Sequence, residues 1–517
     1  MRYLLSVFFT LVFIIPLQAN NPIFEHRSKL AIDMRIDELI FAGLEDMYYL
    51  KFDDATSYFR KAQTEYPNDP KGFFYESLIL FHTAMASRDE KIYEQYILSS
   101  EKVIEKCDDL LDKNDNNIEA LFYKGQTYSY RSLLLLSLNK SLLSAASDGN
   151  SGYRILSEIT ERDPAFNDAY MGLGLYKIAI SFVPEKFQWL MSIIGFDGDL
   201  KEGRGMLSRS RNNGKFTKVE SQVYLAIFSL REREEDNGET ERMLKELTEK
   251  YPESPLFRLF YANILQQMGK NDDAIAQANL SLELNTHSLQ NEIMKGANFV
   301  LGMSYFRKND FDNAAKYFEE HLKHVNYEDR YNISLFHLGI AYEMTGQRDR
   351  ALNYYRETRE DFIDERDGEA EKIFLKYSKK LIDKPMNEFD MSLLKAMNLR
   401  YDSKYTEALQ ILNNILASDK VTTLNDDDKI RLYSETGHTH VYSGNDDLAI
   451  DYFTRCTKLD PDLEKWMIPH AYFELGKIYT RKGNKGKANE MFDKIYDYGD
   501  YDLRSLLEIR LKSYINS

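Results

Sequence analysis

The sequence predicts an all-α protein in which antiparallel helix pairs repeat along the chain and form a superhelical solenoid. Small residues recur at nearly constant intervals. The clearest are alanines separated by 40, 37, 57, 41 and 39 residues, namely Ala274, Ala314, Ala351, Ala408, Ala449 and Ala488. Large apolar residues three and four positions apart accompany them, as on the buried stripe of a helix. Such a period is typical of repeat proteins, in which each unit packs only against its neighbours.

The last copy of the repeat shows why these residue types recur. Residues 472–492 read YFELGKIYTRKGNKGKANEMF, with Leu475 and Gly476 on the first helix and Ala488 and Phe492 on the second. The glycine lets the second helix cross at short distance, and the alanine does the same from the opposite side. The same skeleton recurs around Gly302, Gly339 and Gly437. This pattern resembles the tetratricopeptide repeat (TPR), a helix–turn–helix unit of 34 residues, and the resemblance implies a TPR-type solenoid.

The spacing of these copies divides the chain into six segments. They are a signal peptide (1–19), divergent TPR-like repeats with insertions near 131–150 and 182–198 (20–254), regular TPR units (255–366), a connecting helix (367–387), further regular units (388–500) and a capping helix (501–517). The longest alanine interval, 57 residues, predicts the extra helix at 368–383. A capping helix is expected because the open end of a solenoid needs a polar outer face.

A second resemblance covers residues 120–260, about a quarter of the chain. Segments such as ERDPAFNDAYMGLGLYK (161–177) and TEKYPESPLFRL (248–259) are similar to a bacterial family of exported TPR proteins that has no assigned activity. This resemblance implies the fold and export, and it implies nothing about chemistry.

The first residues have the pattern of a secretory signal. Arg2 is followed by an apolar run from Leu4 to Ile15, and Ala19 offers a small residue for cleavage. The alternative is a retained membrane anchor, although the run is shorter than the ~20 apolar residues of a spanning helix. We therefore expect an exported protein, periplasmic or extracellular.

Charge and cysteine content narrow the choice of partner. The chain has 67 basic and 83 acidic residues, a net charge of −16. This balance disfavours nucleic acid and anionic membrane surfaces, which are bound by basic patches. Cys107 and Cys456 are the only cysteines and lie far apart in the repeat series. We expect two buried thiols, with a disulfide as the alternative.

The sequence has neither a Walker-type phosphate loop nor a Gly-x-Ser-x-Gly nucleophile elbow. We expect no enzymatic activity and no cofactor. His321 and His324 lie three residues apart and could share a metal ion with Glu320, or they could be a structural pair. His438 and His440 lie two apart, so they point to different faces of a helix.

Partner binding is expected on the first helices of the units, which face inward in the TPR family. The predicted contact residues are Phe299, Met303, Phe306, Arg307, Ile333, Phe336, Ile340, Tyr442, Phe473 and Arg481. Aromatic anchors usually dominate an interface. We therefore expect Phe299, Phe306 and Phe336 to carry much of the affinity, and we expect Phe299 and Phe336 to lie off the helix–helix packing.

An apolar segment at 182–196, which contains Trp189, interrupts the repeat pattern. It is interpreted either as a helix packed inside the solenoid or as an exposed anchor for a partner or a lipid. The primary hypothesis for the whole chain is a non-catalytic scaffold or adaptor that binds a peptide or helix of another envelope or secreted protein. The alternative is a membrane-peripheral protein that uses residues 182–196.

Overall fold

The protein is helical throughout the part of the chain that a computed structural model describes, residues 35–181, 198–232, 238–325, 331–360 and 369–516. The helices are α1 (Ile36–Tyr48), α2 (Phe52–Glu65), α3 (Lys71–Ser87), α4 (Glu90–Leu111), α5 (Ile118–Ser137), α6 (Leu142–Arg162), α7 (Ala169–Ser181), α8 (Leu200–Asn213), α9 (Lys218–Glu232), α10 (Gly238–Lys250), α11 (Pro255–Gln267), α12 (Asn271–Glu283), α13 (Gln290–Arg307), α14 (Phe311–Leu322), α15 (Tyr331–Met344), α16 (Arg348–Glu357), α17 (Glu369–Asp383), α18 (Glu388–Tyr401), α19 (Tyr405–Leu416), α20 (Asp426–Tyr442), α21 (Asp446–Cys456), α22 (Met467–Arg481), α23 (Lys485–Asp497) and α24 (Arg504–Asn516). These residues contain no β-strand, which confirms the all-α prediction.

The described chain forms two compact units. The first comprises the residues up to Tyr261 together with Gln277–Ala297, and the second comprises Ala262–Ala276 and the chain from Asn298 onward. Residues 255–261, the start of the segment predicted to hold regular repeats, belong to the first unit. Within the described residues, no helix has the length and apolarity needed to cross a membrane.

A glycine on the first helix of a pair meets an aromatic ring sixteen residues later on the second. The pairs are Gly43–Phe59, Gly302–Phe318, Gly339–Tyr355, Gly437–Phe453 and Gly476–Phe492. A β-carbon on any of these glycines would lie only 2.1–3.0 Å from a ring atom. Ridges and grooves of two helices interlock this closely only where one side contributes a small residue. The glycines and aromatic residues that recur in the sequence are therefore the residues that contact each other where the two helices of a pair cross.

The turn between the two helices of a pair uses the left-handed backbone region. Gly346, Gly444 and Gly483 have φ values of +76°, +80° and +73°. Where a pair lacks this glycine another residue can take the same region, as Asn309 and Ser403 do with φ values of +60° and +56°. Glycine adopts it without the steric cost that a β-carbon brings, so it is the preferred residue at this turn.

In the first unit, a buried carboxylate fixes the start of α9. Asp168 is 7% exposed and accepts hydrogen bonds from the backbone N–H groups of Lys215 (2.9 Å), Phe216 (2.7 Å) and Thr217 (2.9 Å). A charged acceptor that satisfies several otherwise unpaired donors is worth more than a neutral hydrogen bond. This contact ties the start of α9 to the segment that precedes α7.

In the second unit, two helices lie outside the regular pairs. Helix α17 packs its Phe374 ring 5.3 Å from the ring of Phe336 in α15, and its Lys376 forms an ion pair with Asp502 at 2.9 Å. It corresponds to the connecting helix expected at 367–387. Helix α24 covers the end of the last pair and buries Leu507 completely. It lies in the predicted capping segment, 501–517.

Two other expected features take a different form or lie outside the described residues. The insertion expected near 131–150 is absorbed by α5 and α6, which run 20 and 21 residues each. Residues 1–34, which include the predicted signal, and residues 182–197, which include the second insertion and Trp189, lie outside the described chain. The predictions for those segments remain predictions.

Both cysteines are free thiols with no exposed surface. Burial raises the pKa of Cys107 and of Cys456 to about 12, because an apolar environment disfavours the thiolate. The thiols therefore pack as small apolar side chains, as the sequence predicted.

Candidate functional site

Several of the predicted partner residues are part of the hydrophobic core of the second unit. Phe299, Phe306 and Ile340 expose only 9%, 3% and 4% of their surface. The Phe299 ring lies 6.2 Å from Phe318 and 5.2 Å from His321, both on the second helix of the same pair. The expectation that Phe299 lies off the helix–helix packing is therefore wrong. Phe299 and Phe306 both face α14, the second helix of their own pair, because α13 is buried on more than one side.

Helix α17 covers another of the predicted residues. Phe336 contacts two of its rings, Phe374 at 5.3 Å and Tyr377 at 6.3 Å. Met303 and Ile333 are partly buried against the same core. The face of α15 that the sequence assigned to a partner is thus occupied, at Phe336, by a helix of this chain.

The remaining predicted residues have other partners within the chain. Phe473 is 3% exposed and packs 6.0 Å from the ring of Tyr514 in the capping helix. Arg481 forms an ion pair with Asp446 at 2.8 Å. Trp189 lies outside the described chain.

Arg307 and Tyr442 do come together, in a cluster that we call the tyrosine–arginine patch. Its members are Arg307, Arg400, Tyr401, Tyr405 and Tyr442. The Tyr401 ring lies 4.9 Å from the guanidinium of Arg307 and 4.2 Å from that of Arg400. Arg400 also lies 5.7 Å from the Tyr442 ring, which stacks on Tyr405 at 6.0 Å. Tyr401 and Tyr442 remain 40% and 45% exposed, so the rings form an outer surface above the two cations.

The two arginines of the patch differ in how their charge is balanced. Arg400 is buried and forms a two-point ion pair with Glu435, Nε to Oε1 at 2.6 Å and Nη2 to Oε2 at 3.0 Å. Arg307 donates Nη1 to the backbone oxygen of Gln266 at 2.6 Å. Within the described chain no carboxylate forms an ion pair with Arg307. Burial lowers the pKa of Arg307, and the neighbouring charge of Arg400 lowers it further.

Sequence reasoning found Arg307 and Tyr442 but missed Arg400, Tyr401 and Tyr405. The segment Leu399–Tyr405 reads LRYDSKY, which combines two tyrosines and two cations around a turn. That composition is a usable signal for a binding surface. It did not stand out because the repeat frame assigns these positions to the end of a helix and a connecting turn.

A cavity of about 150 Å³ lies within the first unit. Its wall is formed by α1, α3, α9 and α11 and is mainly aliphatic and aromatic, with Leu78, Phe81 and Phe257 almost fully buried. Polar side chains also line it, among them Glu220 and His82. Apolar cavities with a few convergent polar groups are the usual form of a small-molecule site.

Glu220 is the charged group of this cavity. Its Oε1 accepts a hydrogen bond from the hydroxyl of Tyr130 at 2.7 Å and from that of Tyr224 at 3.5 Å, and His82 Nε2 lies 3.9 Å away. The Glu220 side chain is 20% exposed, and it lines the cavity. Burial among apolar groups raises its pKa to about 7, and the hydrogen bonds from Tyr130 and Tyr224 only partly offset this.

The sequence contained a signal for Glu220 that its reading missed. Glu220, Tyr224 and Ile227 follow the i, i+4, i+7 spacing of one helix face, so the acid occupies an apolar stripe. An acidic residue in the first turn of a helix is common because it interacts favourably with the helix dipole. Glu220 was therefore not recognised as a residue that could line a binding cavity. The residues that meet it, His82 and Tyr130, are 138 and 90 positions away.

The histidine pairs lie in packed surroundings. His321 is 2% exposed against the ring of Phe299, and His324 lies 3.6 Å from Glu320. His438 packs on Phe453 and His440 stacks on Tyr452, so the two point to different surroundings. Across the described ranges, no group of three or more His, Cys, Asp or Glu side chains is arranged to hold a metal ion.

Comparison with protein families identifies the repeat. A family model described as Iml2/Tetratricopeptide repeat protein 39 matches residues 165–328, and tetratricopeptide-repeat models match residues 297–368, 430–463 and 469–498. This chain contains tetratricopeptide repeats. The first match overlaps the segment whose resemblance was to an exported TPR family, and that finer resemblance remains a prediction.

Solved structures similar to this TPR protein cover most of its length at low identity. They include a human IFIT1 dimer with m7Gppp-AAAA (12% identity, 90% of each chain, TM-score 0.28), the APC/C hetero-tetramer Cut9–Hcn1 (11% identity, 93% of this chain and 96% of that chain, TM-score 0.28) and yeast Tom70 (14% identity, 86% and 96%, TM-score 0.30). Similarity at this level carries no conclusion about ligands or partners.

Proposed function

We propose that this TPR protein is a non-catalytic scaffold or adaptor of the cell envelope that binds a peptide or helix of another envelope or secreted protein. Its TPR repeats support protein binding. The basic start, the apolar run and the small residue at Ala19 support export. The observation that carries the choice of surface is the exposure of Tyr401 and Tyr442 above two arginines.

The composition of the patch suits the centre of an interface. Tyrosine and arginine are enriched among residues that dominate binding energy, because they supply rigid apolar area with a polar tip or a planar charge. Arg400 is held in place by Glu435, so Tyr401 rests on a preorganised cation. Arg307 has no carboxylate of its own in the described chain. The complementary partner therefore presents a carboxylate toward Arg307, next to an apolar side chain that packs on the tyrosines.

This proposal relocates the anchors that the sequence alone suggested. Phe299 and Phe306 contribute to stability through core packing, and their replacement by alanine would confuse unfolding with loss of binding. Tyr401 and Tyr442 are exposed, so they can be changed with much less effect on the core. Two members of the tyrosine–arginine patch, Arg307 and Tyr442, are among the partner-contact residues that the sequence predicts.

Replacing Tyr401 and Tyr442 together with alanine is expected to weaken partner capture by at least ~2 kcal/mol, about thirtyfold, if the rings act as hot spots. The partner is first captured from the native envelope with the full wild-type chain and identified by mass spectrometry. Its affinity for each variant is then measured by calorimetry. Arg307→Ala should reduce affinity and also reduce its sensitivity to salt, because a charge pair is lost.

The matched control for this experiment is Tyr496→Ala, which removes a tyrosine that is 43% exposed on α23. It should bind as the wild type does. Circular dichroism checks that every variant stays folded. Unchanged affinity in the Tyr401/Tyr442 variant would exclude the patch as the binding surface and return attention to the other inward positions.

Export is tested separately. Expression of the full-length gene product in its native cells should give a chain that begins at Asn20, because cleavage follows Ala19. N-terminal sequencing of the purified protein and fractionation of the cells measure this directly. A protein that retains Met1–Ala19 and stays in the cytoplasmic fraction would contradict the envelope assignment without bearing on the patch.

A further inference from the structure

The cavity in the first unit has a polar end and an apolar body. The polar end is Glu220, and the apolar body is formed by side chains such as Leu78, Val223 and Phe257. Its volume of about 150 Å³ is comparable to that of an apolar protein cavity that binds benzene. We propose that this cavity binds a small organic amine, with the ammonium group on Glu220 and a six-carbon ring or chain of similar size in the apolar part. This site is separate from the proposed interaction surface and does not depend on it.

The hydrogen bonds of Glu220 favour a cationic ligand. Tyr130 and Tyr224 both donate to Oε1. Among the residues that the structure describes, none donates to Oε2. A carboxylate in apolar surroundings costs free energy unless a cation or several donors compensate it. Two donors on one oxygen leave the second oxygen for a ligand that brings the missing donors and the missing positive charge.

No described protein cation fills this role. His82 is the nearest basic group, with Nε2 at 3.9 Å from Oε1, and burial lowers its pKa to about 4. His82 is therefore neutral at physiological pH. A protein that used Glu220 only for structure would be expected to pair it with a lysine or an arginine, as Glu435 is paired with Arg400 elsewhere in this chain.

Aromatic rings around the cavity add a second reason to expect a cation. Tyr48, Phe81, Tyr224, Phe257 and Phe260 all line it. The faces of such rings attract ammonium groups, and rings combined with a carboxylate are a common way to recognise amines. The side chains of Glu220 and His82 are 20% and 35% exposed, so the polar end is reachable by small molecules.

Among Glu220 and the titratable groups that face it, Glu220 is the group whose charge changes near neutral pH. They are Tyr48 on α1, Tyr75 and His82 on α3, Tyr130 on α5 and Tyr224 on α9. Burial raises the pKa of each tyrosine well above its usual value, so the tyrosines stay neutral. The pKa of Glu220 is about 7, so its ionised fraction rises with pH. An ammonium ligand needs that ionised form, so its affinity should rise as the pH rises through 7.

The test measures binding of benzylamine, benzyl alcohol and benzoate to the full chain by calorimetry. The three probes have nearly the same size and are cationic, neutral and anionic at pH 8. We expect saturable binding of benzylamine, at least tenfold tighter than that of benzyl alcohol and of benzoate. Benzylamine should bind at least tenfold more weakly at pH 5.5 than at pH 8, because it stays protonated while Glu220 becomes neutral.

Two variants locate the site. Glu220→Gln keeps the shape and removes the charge, so benzylamine affinity should fall at least tenfold and lose its pH dependence. Val223→Phe keeps the charge and fills the cavity, so all binding should fall. The matched control Glu158→Gln removes a surface carboxylate on α6 that pairs with Arg162, and it should leave binding unchanged.

The overturning results are equally specific. If wild-type protein binds benzylamine no better than benzyl alcohol, or binds benzoate better than both, Glu220 does not select a cation. If Glu220→Gln fails to fold, the comparison of probes and the pH dependence on the wild type still decide. The two sites are distinguished by their variants. Glu220→Gln should lose benzylamine binding and keep partner capture, whereas the Tyr401/Tyr442 variant should lose partner capture and keep benzylamine binding.

Discussion

Replacing Glu435 with alanine is expected to lower the free energy of unfolding of the second unit by about 3–5 kcal/mol. Glu435 and Arg400 are 7–9% exposed and form a two-point ion pair. Burial by itself lowers the pKa of Arg400, and the Glu435 carboxylate more than offsets this. Without Glu435 the guanidinium of Arg400 remains buried and charged but loses the carboxylate that pairs with it. Such an uncompensated buried charge is what makes breaking a buried ion pair destabilising. Chemical denaturation followed by circular dichroism measures the loss.

Two control variants separate the cost of an unpaired charge from the worth of the pair. The double variant Arg400→Met, Glu435→Leu replaces both charges with apolar groups of similar size, and its stability should lie within about 1–2 kcal/mol of the wild type. Asp451→Ala breaks an exposed pair with Arg455, in which both side chains are about half exposed, and should cost less than about 1 kcal/mol. Should Glu435→Ala cost no more than Asp451→Ala, the pair is not buried in solution.

Replacing Gly476 with leucine is expected to cost about 3 kcal/mol or more. Extra side-chain atoms at a close helix crossing overpack it, which typically costs ~1–3 kcal/mol and occasionally more. A β-carbon at Gly476 would lie 2.1 Å from Cε1 of Phe492, so even the first added atom overlaps a ring that is 5% exposed. The ring is held between two helices and cannot move without opening the pair. Thermal and chemical denaturation measure the effect.

The control for this variant is Gly486→Leu on α23, where a new β-carbon would meet nothing closer than 3.9 Å. It should change stability by less than about 1 kcal/mol, in the stabilising direction where helix propensity decides. Gly437→Leu should cost less than Gly476→Leu, because its β-carbon would lie 3.0 Å from Phe453. Removing the ring with Phe492→Ala should relieve part of the cost of Gly476→Leu, since residues in contact are coupled. Independent, additive effects would show that the two do not meet.

The sequence predicted well the features that arise within one helix pair. Gly476 and Phe492 are sixteen residues apart, so their contact follows from helix geometry and a short turn. The long alanine interval likewise predicted an extra helix, and α17 lies in that segment. Each of these contacts joins neighbours along the chain, and in repeat proteins such local contacts dominate the packing.

The sites depended on contacts between residues far apart in sequence. Phe299 was expected to be an exposed anchor, and only the structure shows that Phe318 and His321 cover it. Arg307 lies 94 residues from Tyr401, and the patch they form with Arg400 follows from how α18 packs in the second unit.

The sequence by itself therefore determined the helices, their pairing and the small residues at each crossing, because these follow from local periodicity. The tertiary structure alone decided which faces of those helices stay exposed and which charges meet. Glu220 illustrates the difference. The spacing of residues in the sequence places Glu220 on an apolar stripe of its helix. Its raised pKa, however, depends on the surroundings that Tyr130, His82 and the cavity wall form. Burial is a property of what packs around a residue, and no local pattern specifies that for a site built from distant segments.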